Sequence, residues 1–123
     1  MKKEAGGASG VSRDLLYVEL WVSLASLLRS YTAAHGLNGN RQATVELGED
    51  RITVRHGGAR LELARDGAEV RWRREDGSAG RMELTEAGQL RSDGHEEEMD
   101  IAAEAWAREL IQSRRGVNFD RAR

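Results

Sequence analysis

Residues 44–84 read TVELGEDRITVRHGGARLELARDGAEVRWRREDGSAGRMEL, and this stretch decides the fold. Apolar and polar side chains alternate in five short segments, which is the period-two pattern of half-buried strands. The five segments are residues 44–47, 51–55, 60–63, 69–73 and 81–84. Gly-Gly at 57–58 and Asp-Gly at 66–67 are hairpin signals, because type I′ turns need positive φ at both central residues. The stretch therefore predicts an antiparallel meander of five strands, or six if residues 88–91 form a further short strand.

Helical patterns flank this stretch on both sides. Ser12 is the predicted N-cap of the first helix, and Gly36 is expected to end it. In the second helix Asp93 takes the cap role, because Glu96 follows at capping-box spacing, and Gly116 supplies the stop. We therefore predict an α+β fold with an N-terminal helix, the meander and a C-terminal helix, both helices lying on one face of the sheet.

Length and composition restrict the class of protein. The chain has 123 residues, no cysteine and a net charge of −2. We expect one domain over residues 12–116, between a flexible tail at 1–11 and a frayed tail at 117–123. The absence of cysteine excludes disulfides and thiolate nucleophiles, and the N-terminus lacks the apolar run of a signal peptide, so we expect a cytoplasmic protein. The longest uncharged run of the most apolar segment, residues 20–28, is far shorter than the roughly 20 residues of a membrane span, so no membrane partner is expected.

The predicted turns also place side chains on the solvent face of the sheet, because turn length sets strand register. Two-residue turns at 57–58 and 66–67 and a three-residue loop at 76–78 align four arginines across four strands. These are Arg55, Arg60, Arg73 and Arg81, with Arg71 in a neighbouring row beside Glu62 and Glu83. Like charges directly opposite one another are unfavourable, so the row indicates a surface for a phosphate, a carboxylate-bearing ligand or an acidic protein. A solvated face without a partner is the alternative interpretation.

The first helix is apolar around most of its circumference, so we expect it to be covered on more than one side. One stripe at helical spacing consists of Tyr17, Trp21, Leu24, Leu28 and Tyr31. We predict that this stripe forms the contact of a homodimer, because two-fold dimers are the commonest oligomers. Burial in the chain's own core is the alternative.

Catalytic signatures are missing from the sequence. It has no nucleophile elbow, P-loop or dinucleotide-binding glycine motif, and its three histidines lack metal-ligand spacing. We therefore expect no enzyme activity, no cofactor and no metal site. The leading hypothesis is a non-catalytic, homodimeric interaction module that contacts a partner through its arginine-bearing sheet face.

Two further functions stay open. Nucleic-acid or phosphate-ligand binding through the same arginines is the first alternative. It is disfavoured because residues 41–91 contain ten basic and ten acidic residues, whereas nucleic-acid binders usually show a basic excess. A small apolar ligand held between the helices and the sheet is the second alternative.

Overall fold

The computed structural model describes the backbone of residues 2–35 and 43–122 and the side chains of residues 14–35 and 43–112. In the described part of the chain, two helices flank seven strands. The helices are α1 (Lys2–His35) and α2 (Met99–Ala122). The strands are β1 (Thr44–Leu47), β2 (Arg51–His56), β3 (Ala59–Asp66), β4 (Glu69–Arg74), β5 (Ala79–Leu84), β6 (Gln89–Ser92) and β7 (His95–Glu98).

The seven strands form one antiparallel sheet in chain order, so each strand pairs with the next. The alternating sequence pattern builds this sheet. Ile52 and Val54 of β2 and Leu61 and Leu63 of β3 are at most 2% exposed, and the residues between them face the other side. The predicted α+β class with an antiparallel meander is confirmed, but the sheet has seven strands instead of five or six.

One hydrophobic core lies between the inward face of the sheet and the helices. Its helical side chains include Trp21, Leu24 and Leu28 of α1, with Ala103 and Trp106 of α2. The helices make their most extensive contact with each other; α1 meets the sheet mainly at the edge strand β1, and α2 touches β2, β3, β6 and β7. The predicted arrangement of both helices on one sheet face is therefore too simple in detail. Within the described residues, neither helix is long and apolar enough to cross a membrane.

Both helices extend beyond their predicted ends. α1 begins at Lys2, upstream of the predicted N-cap Ser12, and α2 runs to Ala122, past the predicted stop at Gly116. The chain contains no proline, so no residue of that type interrupts either helix. The segments predicted as terminal tails are therefore helical over their described residues. The predicted stop at Gly36 lies outside the described residues.

The second helix starts later than predicted, because Asp93 and Gly94 form a hairpin turn. Ser92 pairs with His95 across this turn. The two turn residues have φ values of 53° and 76°, and a type I′ turn requires a positive φ at both positions. The capping role predicted for Asp93 is wrong, because the Asp-Gly turn signal prevails over the capping-box spacing. Strand β7 takes the place of the first turns of the predicted helix, and α2 begins at Met99.

The register between β3 and β4 differs by two residues from the prediction. The turn residues are Gly67 and Ala68, because Asp66 pairs with Glu69. Gly67 has a φ of 62°, which suits the first central position of a type II′ turn. The prediction placed Gly67 at the second central position of the turn, after Asp66, and this placement shifted the predicted β3–β4 pairing by two residues.

The register between β4 and β5 also differs by two residues. The loop comprises residues 75–77 instead of 76–78, because the N–H of Arg74 donates to the carbonyl of Ser78 at 2.9 Å. Within the loop, the N–H of Gly77 donates to the carbonyl of Arg74 at 3.0 Å. Since both registers shift by an even number of residues, every side chain stays on its predicted face. The residues that face one another across the strands are nevertheless different.

Candidate functional site

The face of the sheet that points away from the core is the candidate site, and we call it the open face. Its residues alternate along each strand with buried core residues. Seven arginines from β2 to β6 lie on it: Arg51, Arg55, Arg60, Arg71, Arg73, Arg81 and Arg91. For the six that form ion pairs with described residues, side-chain exposure ranges from 44% at Arg91 to 74% at Arg81. The open face therefore presents many accessible guanidinium groups.

The five arginines predicted for the site all lie on the open face, but the four that were expected in one row do not form it. Arg55 is opposite Arg60, as predicted. Arg73 is opposite Glu62 instead of Arg60. Arg81 is opposite Arg71 instead of Arg73. The two shifted registers thus divide the predicted row into smaller groups, each beside a carboxylate.

Glu62 is the centre of the first group. Its Oε1 accepts a hydrogen bond from Nη2 of Arg73 at 2.9 Å, and its Oε2 lies 3.6 Å from Nη1 of Arg51. The Glu62 side chain is 20% exposed, so it is shielded more than its two partners. The hydrogen bond from Arg73, helped by the charges of the surrounding arginines, holds the pKa of the Glu62 carboxyl below its ordinary value.

Glu69 joins the second group. Its Oε2 lies 3.3 Å from Nη1 of Arg81 and 3.7 Å from Nε of Arg71. These two arginines are directly opposite each other on β4 and β5, so one carboxylate sits between two like charges. Because one carboxylate engages a single nitrogen of each guanidinium, which carries five N–H donors, further donors remain for a ligand.

Arg91 of β6 is the centre of the third group. Its Nη2 donates to Oε1 of Glu83 at 2.7 Å, and its Nη1 donates to Oε2 of Glu96 at 3.2 Å. The hydrogen bond to Glu83, together with the charge of that carboxylate, raises the pKa of Arg91 above its ordinary value. A depression of about 280 Å³ lies beside this group, and Glu69, Arg81, Glu83 and Arg91 contribute to its walls.

Two contacts complete the open face near the β2–β3 turn. Nη1 of Arg55 donates to Oε1 of Glu46 at 3.1 Å. The backbone N–H of Arg60 donates to Oε1 of Glu75 at 2.8 Å. The open face is therefore a mixed surface that carries both arginine and glutamate side chains.

Fold stability gives little reason for this arrangement. Like charges face each other at Arg55 with Arg60 and at Arg71 with Arg81, and such pairs are unfavourable. Exposed ion pairs contribute only about 0–1 kcal/mol each. The arrangement does leave guanidinium N–H donors accessible, and such donors suit the carboxylate or carbonyl oxygens of a ligand.

Sequence reasoning missed several residues of this surface. Arg51 and Arg55 are both at exposed positions of the period-two pattern of β2, so Arg51 could have been assigned to the same face from the sequence. Arg91 could be placed only with the register of the short strand β6. The position of Glu69 between Arg71 and Arg81 depends on the β4–β5 register, and the predicted register differed from the observed one by two residues.

The residues predicted for a dimer contact lie on α1, away from the open face. Trp21, Leu24 and Leu28 are 0–1% exposed in the chain's own core. Tyr17 and Tyr31 pack against that core and are partly buried, and the hydroxyl of Tyr31 donates to a carboxylate of α2. Three of the five stripe residues therefore belong to the chain's own core, and the two tyrosines lie at its edge. The exposed apolar residues of α1 are different ones.

The acidic residues and histidines of the described side chains bear on metal ligation. Within residues 14–35 and 43–112, no group of three or more histidine, cysteine, aspartate or glutamate side chains could hold a metal ion.

Comparison with protein families, curated proteins and solved structures gives no match for this chain. The function must therefore be argued from the geometry of the site itself.

Proposed function

We propose that this protein is a non-catalytic interaction module and that its open face binds a partner protein. One observation carries the proposal: exposed arginines on four strands, β2, β4, β5 and β6, pair with neighbouring glutamates. Arginine is enriched at protein interfaces. The N–H donors that these arginines do not use with the glutamates can donate to carboxylate or carbonyl oxygens of a partner.

The mixed charge of the open face favours a protein surface over a nucleic acid. Five glutamates pair with the arginines: Glu46, Glu62, Glu69, Glu83 and Glu96. A row of phosphates would meet these carboxylates as well as the guanidinium groups. A protein partner can match both signs, because protein interfaces are arranged with complementary charges.

A matched pair of double variants tests the proposal. Arg71→Ala/Arg81→Ala removes two of the most exposed arginines of the open face. Arg29→Ala/Arg108→Ala removes the same charge from the helices and serves as the control. Proteins captured from the source lysate on immobilised wild type, test variant and control are then quantified.

We expect at least one protein to be captured by wild type and by the control but lost with the test variant. An identical set of captured proteins on all three would refute the proposal for this face. A labelled DNA duplex and a labelled RNA strand, titrated at low salt, address the nucleic-acid alternative. Binding that falls steeply with salt and requires Arg71 and Arg81 would replace the protein partner by a nucleic acid.

The remaining hypotheses stay predictions. A homodimer through the α1 stripe would use Tyr17 and Tyr31, because Trp21, Leu24 and Leu28 lie in the chain's own core. A small apolar ligand held between the helices and the sheet also stays a prediction. Native mass spectrometry near neutral pH reports both the subunit number and any retained ligand.

A further inference from the structure

A groove lies at the end of the molecule where α1 passes the β1–β2 and β3–β4 turns. Its volume is about 540 Å³, within the range of small-ligand sites. The wall from α1 includes Val18 and Val22, and the β1–β2 turn adds Leu47. This groove does not belong to the open face, so an inference about it stands independently of the proposed function.

The groove has a mixed lining that includes three exposed apolar side chains. Val18, Val22 and Leu47 are 36%, 45% and 37% exposed, and Leu15 is 56% exposed one turn earlier on α1. Single exposed apolar residues are common, but a contiguous group beside a concave site often marks a binding surface.

Two buried N–H donors lie in the lining of the same groove. The Arg65 side chain is 6% exposed; its Nη1 donates to the carbonyl of Gly67 at 3.0 Å and its Nη2 to Oδ1 of Asp50 at 3.3 Å. Its Nε has no hydrogen-bond partner among the described residues. Trp21 is 1% exposed, and its indole Nε1 likewise has no described partner. A buried donor without an acceptor is costly, so both favour a ligand that brings acceptor oxygens.

The rim of the groove is acidic. It includes Asp14, Glu49 and Asp66, together with Asp50, which pairs with Arg65. Asp14, Glu49 and Asp66 form no ion pair with any residue whose side chain is described. Four carboxylates around one guanidinium favour a cationic ligand.

We propose that this groove binds a lysine- or arginine-bearing peptide segment of a partner protein. The aliphatic stem of the basic side chain lies against Val18, Val22 and Leu47, as such stems do on apolar surfaces. The charged end is neutralised by the rim carboxylates. Peptide carbonyl oxygens accept from the N–H groups of Trp21 and Arg65. A second copy related by a two-fold axis is disfavoured, because two acidic rims would face each other.

The experiment is an NMR titration of the ¹⁵N-labelled full chain with acetyl-Leu-Lys-Leu-amide at low salt. Acetyl-Leu-Glu-Leu-amide, which has a negative side chain in place of the positive one, is the control peptide. Three indole N–H signals are available, and those of Trp72 and Trp106 serve as internal references for that of Trp21. The Nε–H signal of Arg65 provides a second reporter.

We expect the lysyl peptide to move the Trp21 and Arg65 signals while the glutamyl peptide leaves them in place. Glu49→Gln should weaken lysyl-peptide binding about two- to fivefold, because one exposed charge pair is lost. Glu98→Gln, which makes the same change on the far edge strand β7, should leave the affinity unaltered.

Three results would overturn the proposal. The first is an absence of shifts up to millimolar lysyl peptide. The second is an equal response to both peptides. The third is movement of the Trp21 and Arg65 signals on concentrating the protein without peptide, which would assign the groove to a second copy of the chain. None of these results depends on the open face, so the proposed function is tested separately.

Discussion

Gly80 on β5 provides a test of the register that creates the open face. It lies opposite Trp72, and a Cβ atom added there would be 2.6 Å from three indole atoms. Ordinary contacts are 3.4–4 Å, so the ring must move by roughly 1 Å. Arg74 holds the ring from its face at 4.5 Å and is itself bound to Glu109 at 2.6 Å. The ring therefore has little freedom to move.

We expect Gly80→Ala to destabilise the fold by about 1–3 kcal/mol, the usual cost of overpacking. For a domain of this size that corresponds to a decrease in Tm of about 4–12 °C. The sign of the change is decisive. In a strand without such a contact, alanine is more stable than glycine by about 0.5–1 kcal/mol, so the originally predicted register would give an increase.

The assay is urea denaturation with thermal unfolding as a second measure. Gly58→Ala is the control, because the added Cβ meets no atom within 4 Å and φ is not in the left-handed region. We expect that variant to be neutral or slightly stabilised. If Gly80→Ala were as stable as Gly58→Ala, the β4–β5 register, and with it the grouping of arginines around Glu69, would be refuted.

Three further predictions concern stability. Glu62→Gln should cost up to about 1 kcal/mol at pH 7, because an exposed pair with Arg73 is lost. Since the folded-state pKa of Glu62 is lowered from its ordinary 4.5, this difference is fully present above that pH and is lost as pH falls through the folded-state pKa, which paired urea titrations can follow. Leu24→Ala should cost about 2–5 kcal/mol, whereas Leu15→Ala should stay within about 0.5 kcal/mol, and calorimetry of both variants compares a buried with an exposed leucine of α1. Asp93→Ala should cost about 1–2 kcal/mol because φ is 53° there, while Asp93→Gly should be tolerated; equal thermal stability of the two variants would contradict the left-handed turn.

Much of the fold could be predicted from the sequence, because burial imposes a period of two on each strand. The faces of β2 to β5 followed from Ile52, Leu61, Val70 and Leu84, all of which are at most 2% exposed. The core positions of α1 could not be distinguished from a dimer contact, since an apolar helical stripe is the same for both. Distinguishing the two requires knowing how much of the α1 surface the sheet and α2 cover.

The candidate site was less predictable, because it depends on pairs across strands instead of on faces. An error of one residue in locating the turns at Gly67 and Gly77 moved each pairing by two. The open face kept its arginines, but Arg73 gained Glu62 as its neighbour and Arg81 gained Arg71. Turn position is set by a few backbone angles and hydrogen bonds, which composition and periodicity do not report.

The most direct test of the central claim is photo-cross-linking from the open face in living cells of the source. A photoreactive amino acid replaces Ala79, which is exposed and pairs with Arg73. The control carries the same group at Gln112, an exposed residue of α2. We predict a discrete cross-linked protein from position 79 that is absent from position 112 and is lost when Arg71 and Arg81 are replaced by alanine. No cross-link from position 79, or one that persists without these arginines, would contradict the claim that the open face binds a partner.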